Sequence, residues 1–165
     1  VVDLGSGEGR ICITAALEYG ARALGVEIDP VLVEKSRANA EALGIDRQVS
    51  FECGDWLATD VSAATVVTMF FISHETINFE FMRQKFRPGT RFVSYVYTLT
   101  DWEPDAVIRT HPHMTEDGHS ELYTYSIPHP APRSRLASAL RRRAAALQAR
   151  RAQLLALGPV SAAAR

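Results

Sequence analysis

The sequence predicts an α/β domain built on a mostly parallel β-sheet with helices on both faces. Short β-rich segments alternate with helical patterns through the first half of the chain, which is typical of βαβ units. One of these segments, TVVTMFF, is apolar almost throughout, as a strand buried on both faces should be. With 165 residues, of which 47% are hydrophobic, the chain can form a core without disulfides or metals.

The first half of the chain contains four predicted strands and two predicted helices. The strands cover residues 1–4, 23–27, 48–53 and 65–71, and the first helix covers 10–19 and ends at Gly20. The second helix has Asp29 as its N-cap, Pro30 in its first turn and Gly44 at its end. Its predicted buried face consists of four residues: Leu32, Ser36, Ala40 and Leu43.

The second half begins as the first half does and then changes pattern. A helix is predicted over 74–86, followed by the turn RPGT and a fifth strand over 91–98. Two further strands, 106–111 and 121–128, are joined by a polar, histidine-rich connection without a helix. That arrangement predicts a terminal antiparallel pair and a sheet of seven strands.

Charge divides the chain into two regions. Residues 1–132 contain 10 Lys and Arg against 19 Asp and Glu, a balance of −9, whereas residues 133–165 contain eight Arg and no acid. We therefore predict a domain over 1–132 and a basic tail over 133–165. The tail has leucines 136, 140, 147 and 154 on one helical face, so it is either a basic amphipathic helix or a disordered appendage.

Composition also limits the location and the type of protein. Cys12 and Cys53 are too few and too far apart for a disulfide framework or a redox motif, which favours a reducing, cytoplasmic location. No apolar segment approaches the length of a membrane span. Because the chain lacks an initiator Met and starts within a predicted strand, we expect that a native segment precedes Val1.

The opening segment VVDLGSGEGR has the form of a cofactor-binding loop. A strand leads directly into Gly5, Gly7 and Gly9, and then into a helix whose N-terminus offers free N–H groups. A dinucleotide fingerprint requires a third-spaced glycine at position 10, where this chain has Arg10. Glu8 would also repel a pyrophosphate. The loop therefore favours a cofactor without phosphate, such as S-adenosylmethionine.

Three acids lie at the ends of three successive predicted strands, at the edge where such sheets bind ligands. Asp3 is placed to meet the cationic amino acid part of S-adenosylmethionine, and Glu27 its two ribose hydroxyls. Asp55 would accept a hydrogen bond from the adenine amino group, while Trp56 or Ile28 would cover a face of the adenine ring. Taken singly, each acid has an ordinary explanation, as a cap, a surface acid or a turn residue.

These segments carry a resemblance to a known family. VVDLGSGEGR, GVEID, CGD and RPGTRFVSY resemble, in order, the motifs of class I S-adenosylmethionine-dependent methyltransferases, over residues 1–127. DLGSGEGRICITAA, TVVTMFF and KFRPGTRFVSYVYTLTDWEPD resemble bacterial relatives of the mitochondrial lysine methyltransferases that act on ATP synthase c-subunit and the adenine nucleotide translocase. The resemblance implies a Rossmann-like fold, S-adenosylmethionine as cofactor and a protein lysine as methyl acceptor.

A lysine acceptor needs help from the site to lose its proton. With a pKa of about 10.4, roughly one lysine in 10³ is neutral at pH 7, and an apolar site favours that neutral form. Four aromatic residues at or near the ends of the fourth and fifth strands are candidates for this role, with ordinary core packing as the alternative. They are Phe70, Phe71, Tyr95 and Tyr97.

The segment ISHETINF replaces the Asn/Asp-Pro-Pro-aromatic motif of amino-directed adenine and glutamine methyltransferases, which counts against those substrates. Within it, His74 and Glu75 are candidates to orient or deprotonate the acceptor, with helix capping or solvent exposure as the alternative. Three further histidines, at 111, 113 and 119, lack the spacing of a zinc site, so no metal is predicted.

Two other functions remain open from the sequence. The same cofactor site would serve a small-molecule or RNA methyltransferase. A non-catalytic cofactor-binding or interaction module, with the basic tail binding its partner, is the alternative from another class. Nucleic acid binding by the tail has little support, because no aromatic residues alternate with its arginines.

Overall fold

The protein has an α/β fold, in which strands and helices alternate along much of the chain. The computed structural model describes residues 1–70, 79–111 and 120–129, which lie within one compact unit, Val1–His129. In chain order the elements are β1 (Val2–Leu4), α1 (Arg10–Tyr19), β2 (Ala23–Glu27), α2 (Pro30–Ala42), β3 (Val49–Cys53), β4 (Val66–Met69), α3 (Phe79–Lys85), β5 (Arg91–Tyr95), β6 (Ala106–Thr110) and β7 (Ser120–Ser126).

These strands form one seven-stranded sheet with the order β3-β2-β1-β4-β5-β7-β6. The pairs among β1 to β5 are parallel, whereas β7 runs antiparallel to both β5 and β6. The predicted fold class and the terminal antiparallel pair are thus confirmed. Because parallel strands end at one edge, the carboxyl ends of β1 to β5 bring five loops together there.

The two faces of the sheet are covered by different helices. Met82 and Phe86, in and after α3, belong to the core on one face with Leu4, Val67 and Phe92. The core on the other face contains Cys12 and Ala16 of α1, Val33 and Ala40 of α2, and Phe51 of β3. This second face also carries Asp3, Gly25 and Thr68, which lie in register on adjacent strands.

Helix α2 begins as the sequence predicts, since the Asp29 side chain accepts a hydrogen bond from the N–H of Val31 at 2.8 Å. The predicted buried face is partly wrong. Val33 is buried beside Ser36 and Ala40, whereas Leu43 is 51% exposed at the helix end. Val33 lies on this face three residues before Ser36, and Leu32 at its margin is only partly buried. Leu43 has the right spacing, but it is the C-cap residue after Ala42 and lies beyond the last turn of the helix.

The strands that lead to the site are shorter than predicted. β4 ends at Met69 and only Val67 and Met69 are fully buried, so it is not buried on both faces throughout. Phe70 is 41% exposed. β5 ends at Tyr95, because Val96 adopts a left-handed backbone conformation with φ of 69°. Such a conformation breaks the extended chain, and it is rare for a β-branched residue.

Other predictions fall partly or wholly outside the described ranges. Helix α3 is described from Phe79, so the predicted helical residues 74–78 lie outside them, as does the basic tail 133–165. Within the described part of the chain, no helix has the length and apolar character needed to cross a membrane. The same residues contain no cluster of three or more side chains suited to hold a metal.

Candidate functional site

The glycine loop between β1 and α1 lies over the carboxyl end of β2. The N–H groups of Gly5 and Ser6 both donate to the carbonyl of Val26, at 2.8 and 3.1 Å. Gly5, Gly7 and Gly9 all have positive φ, of 75°, 54° and 80°. Side chains with a Cβ rarely adopt this backbone conformation, so the three glycines give the loop its shape.

The underside of the loop is closely packed and its upper side is open. A Cβ at Gly9 would lie 2.4 Å from Phe51 Cζ, and one at Gly25 would lie 2.5 Å from Phe51 Cδ1. A Cβ at Gly7 would meet no atom within 4 Å. The loop is therefore held from below by Phe51, and open space adjoins its backbone at Gly7.

Glu27, at the end of β2, binds the backbone of this loop. Its Oε2 accepts a hydrogen bond from the N–H of Gly7 at 2.9 Å. Its Oε1 accepts hydrogen bonds from the N–H groups of Ile28 and Asp29, at 2.8 and 3.0 Å. The carboxylate thus joins the glycine loop to the start of α2. A ligand hydroxyl that reaches Glu27 meets a carboxylate that is already oriented.

Asp3 is a buried acid, with 4% of its surface exposed. Its Oδ1 accepts from the Thr68 hydroxyl at 2.7 Å. Burial raises the pKa of Asp3 to about 6, with a further increase from the negative charge of Glu27, while the Thr68 hydrogen bond opposes both. A carboxylate that is costly to ionise in this position favours a cationic ligand, which would stabilise its charge.

The third acid, Asp55, follows β3 and is exposed. Its Oδ1 accepts from the N–H of Leu57 at 2.8 Å, which makes it a turn residue in this structure. Ile28 is 74% exposed at the same edge of the sheet. The Trp56 ring packs edge-on against Phe81 at 5.9 Å, with Lys85 Nζ 5.8 Å from its centre. Ile28 is thus exposed at this edge, whereas Trp56 packs against α3.

Glu8, which the sequence predicts to repel a pyrophosphate, forms an ion pair in the structure. Its Oε1 lies 2.5 Å from the Nζ of Lys35 on α2, and this ion pair lowers the pKa of Glu8. Since the lysine offsets the negative charge of Glu8, that charge counts less against a phosphate at this loop than the replacement of glycine by Arg10 does.

Three aromatic residues form a cluster at the ends of β4 and β5. The Phe70 ring lies 5.4 Å from that of Tyr95 and 6.0 Å from that of Tyr97, with the second pair stacked. Phe70 directly follows Met69, which is paired with Leu4 at the end of β1. The cluster therefore lies beside β1, the strand that leads into the glycine loop. The partly exposed rings are placed to contact a second molecule beside that loop.

The remaining predicted site residues, Phe71, His74 and Glu75, lie outside the described residues. Sequence reasoning missed Thr68, Gly25 and Phe51. A threonine within the otherwise apolar strand segment was a usable signal for Thr68. The packing of Phe51 beneath the two glycines had no such signal, since it depends on the pairing of β2 with β3.

Comparison with known proteins identifies this arrangement. The family model described as ANTKMT methyltransferase domain matches residues 3–106. A protein-lysine N-methyltransferase of Saccharolobus islandicus (strain REY15A) is 38% identical over 134 residues, which cover 77% of this chain and 78% of the relative. The adenine nucleotide translocase lysine N-methyltransferase of Mus musculus is 34% identical over 66% of this chain, and the match spans about half of that relative, 48%.

A solved structure supports the same assignment and includes the demethylated cofactor. The RNA methyltransferase from Salinibacter ruber in complex with S-adenosyl-L-homocysteine is 36% identical, with a TM-score of 0.69, over 81% of this chain and 83% of that one. The cofactor of this protein is S-adenosylmethionine. The chain belongs to the ANTKMT methyltransferase domain family and is an S-adenosylmethionine-dependent methyltransferase with a Rossmann-like fold.

Proposed function

We propose that this enzyme methylates the ε-amino group of a protein lysine. The observation that carries the proposal is the partly exposed cluster of Phe70, Tyr95 and Tyr97 beside the glycine loop strand. Aromatic rings attract a lysine ammonium as it arrives, and their apolar surface favours the neutral amine that the reaction needs. The relative from Saccharolobus islandicus, named a protein-lysine N-methyltransferase, supports the same acceptor.

The residues present at the strand ends fit S-adenosylmethionine. The open space at Gly7 leaves room for a ligand against the loop backbone, and the three acids suit a cofactor with hydroxyl, amino and ammonium groups. We propose that Asp3 faces the amino acid part, Glu27 the ribose and Asp55 the adenine amino group. Ile28 would cover the adenine, with Trp56 supporting the Asp55 turn from the core side.

S-adenosylmethionine supplies a methyl group bonded to a positively charged sulfur, ready for in-line displacement by an amine. The protein then needs to align the acceptor, keep water away and remove one proton from the lysine nitrogen. We assign alignment and water exclusion to the aromatic cluster. His74 and Glu75 remain our candidates for orienting the acceptor or accepting the proton.

The charge of the domain favours a basic partner. Residues 1–132 carry a balance of −9, which attracts a lysine-rich segment and repels a polyanion. RNA is the second candidate acceptor, because the Salinibacter ruber relative is named an RNA methyltransferase and exposed rings also stack on bases. The two acceptors give different products, methyllysine or a methylated nucleoside, and mass spectrometry separates them.

Replacing Phe70 tests the role of the aromatic cluster. We expect Phe70→Leu to lower kcat/KM for the acceptor by about 3- to 30-fold, because it removes a cation–π contact while keeping an apolar side chain. Phe70→Tyr is the matched control and should stay within about threefold of wild type. S-adenosylhomocysteine affinity, measured by calorimetry, should be equal in all three proteins. Equal methylation rates for the Leu and Tyr variants would contradict this role.

Replacing Glu27 tests the proposed cofactor contact. Glu27→Ala removes the acceptor of three backbone N–H groups. We expect it to weaken S-adenosylhomocysteine binding by about 10- to 100-fold, as the loss of charged hydrogen bonds predicts. Because two of those N–H groups are exposed and the third is only partly buried, the fold should remain largely intact.

The matched control is Asp29→Ala, which removes the N-cap of α2 two residues away. It should cost about 1 kcal/mol of stability and leave cofactor affinity within about threefold of wild type. If calorimetry finds the same affinity for both variants, the assignment of Glu27 fails.

A further inference from the structure

We propose that Thr68 is a positioning residue for the cofactor, whose hydroxyl keeps the buried carboxylate of Asp3 in the ionised, cation-binding form. The inference rests on the proposed role of Asp3 in the methyltransferase. Thr68 lies in β4, adjacent to β1, and donates to Asp3 Oδ1 at 2.7 Å.

The sheet register gives this contact its importance. Asp3 is paired with Gly25 on β2 and with Thr68 on β4. Gly25 has no side chain, and its position cannot accommodate a Cβ because Ser6 Oγ would lie 2.6 Å away and Phe51 2.5 Å. Of the two residues in register with Asp3, only Thr68 therefore offers a side-chain hydrogen bond to the acid.

The charged and titratable groups around Asp3 do not replace this hydrogen bond. From β2, Glu27 contributes a negative charge that disfavours ionisation of Asp3. From α1, Cys12 is a buried thiol whose pKa is raised to about 12, so it is neutral at physiological pH. Burial opposes the charged form as well. Among the described groups that act on the pKa of Asp3, the Thr68 hydroxyl is the one that lowers it.

The geometry also lets Thr68 serve both protonation states of Asp3. Its Oγ1 lies 2.7 Å from Asp3 Oδ1 and 3.4 Å from the carbonyl oxygen of Val2. With Asp3 ionised, the hydroxyl proton points to the carboxylate. With Asp3 protonated, the acid donates to Oγ1 and the hydroxyl proton turns to Val2. Because a hydroxyl donates a stronger hydrogen bond to a carboxylate than to a neutral carbonyl, Thr68 favours the ionised arrangement.

The test compares wild type, Thr68→Val and Thr68→Ser in S-adenosylhomocysteine binding by calorimetry from pH 5 to pH 8. Wild-type affinity should rise with pH and level off above a midpoint near the pKa of Asp3, about 6. Thr68→Val keeps the shape but not the hydroxyl, and we expect the midpoint to move up by about one pH unit. The affinity of Thr68→Val for S-adenosylhomocysteine would then be about fivefold weaker than that of wild type at pH 6 and within about twofold of it at pH 8.

Thr68→Ser restores the hydroxyl and should restore the wild-type midpoint. An unchanged midpoint in Thr68→Val, or an equal loss of affinity at every pH, would overturn the inference, because a merely structural effect does not depend on Asp3 ionisation. If Thr68→Val fails to fold, carboxyl NMR titration of Asp3 in wild type and Thr68→Ala decides the question, and an equal pKa overturns it.

The same experiment separates this inference from the proposed function. It uses no methyl acceptor, so a protein that methylates RNA instead of lysine gives the same result. Wild-type protein that binds no S-adenosylhomocysteine at any pH would contradict the cofactor site and the inference together. Wild-type binding with a pH-independent effect of Thr68→Val would overturn only the inference.

Discussion

Asp3→Asn is expected to make the ligand-free protein more stable at pH 8 and at the same time to weaken its cofactor binding. The folded-state pKa of Asp3 is about 6 against an ordinary value of 3.8, so the folded protein binds this proton more tightly than the unfolded chain does. The stability from that proton is fully present below pH 3.8 and is lost as pH rises through 6. A neutral side chain avoids the loss.

The difference in pKa corresponds to about 2 to 3 kcal/mol at pH 8. We expect Asp3→Asn to recover about 2 kcal/mol of this, since its amide can also bond to the Thr68 hydroxyl. Thermal unfolding by circular dichroism at pH 4 and pH 8 measures the effect. The variant should melt about 4 to 8 °C higher than wild type at pH 8, with little difference at pH 4.

Cofactor affinity should change in the opposite direction. Asp3→Asn loses a charged hydrogen bond to the amino acid part of S-adenosylhomocysteine. We therefore expect this ligand to bind about 10- to 100-fold more weakly at pH 8. A variant with higher stability and lower affinity identifies Asp3 as a residue kept for binding at a cost in stability. Wild-type affinity in Asp3→Asn would contradict the assignment, and an equal melting temperature at pH 8 would contradict the burial argument.

Gly9→Ala is expected to damage the fold itself. The new Cβ would lie 2.4 Å from Phe51 Cζ and 2.9 Å from Ser36 Cβ, in a residue with φ of 80°. Phe51 and Ser36 are both buried, so neither has free space into which to move. Overpacking and left-handed strain together predict a loss of about 2 to 5 kcal/mol, measured by urea unfolding. A loss below about 1 kcal/mol would show that the core adapts.

Gly7→Asp is the matched variant in the same loop. A side chain at this position meets open space, and aspartate tolerates positive φ better than most residues, so stability should fall by only about 1 kcal/mol. The added carboxylate points into the space proposed for the cofactor and lies near Glu27, which accepts from the Gly7 N–H. We expect cofactor binding to become undetectable by calorimetry while the protein stays folded.

The sequence predicted those features that depend on local pattern. Alternating strands and helices, the Asp29 cap and the glycine loop were all confirmed in the structure, because each is set by neighbouring residues. Strand ends were less well predicted. Apolar segments continue past Met69 and Tyr95 to Phe70 and Tyr97, which contact each other outside the sheet, and composition does not separate these from strand residues.

Contacts between distant segments were the part that sequence reasoning could not reach. Thr68 lies 65 residues from Asp3, and only the pairing of β1 with β4 brings them together. Similarly, the placement of Trp56 against Phe81 depends on where α3 packs. The Glu27 contacts to the glycine loop were also missed, since they require the observed approach of that loop to β2.

The most direct test of the account is product analysis after incubating the 165-residue chain with methyl-labelled S-adenosylmethionine. Two acceptor pools are used in parallel, a nucleic-acid-free protein extract and purified total RNA, with Gly7→Asp as the inactive control. We predict label in the protein pool only, recovered by tandem mass spectrometry as methylated lysine and absent with Gly7→Asp. Label in RNA alone, or on a protein residue other than lysine, would contradict the lysine acceptor.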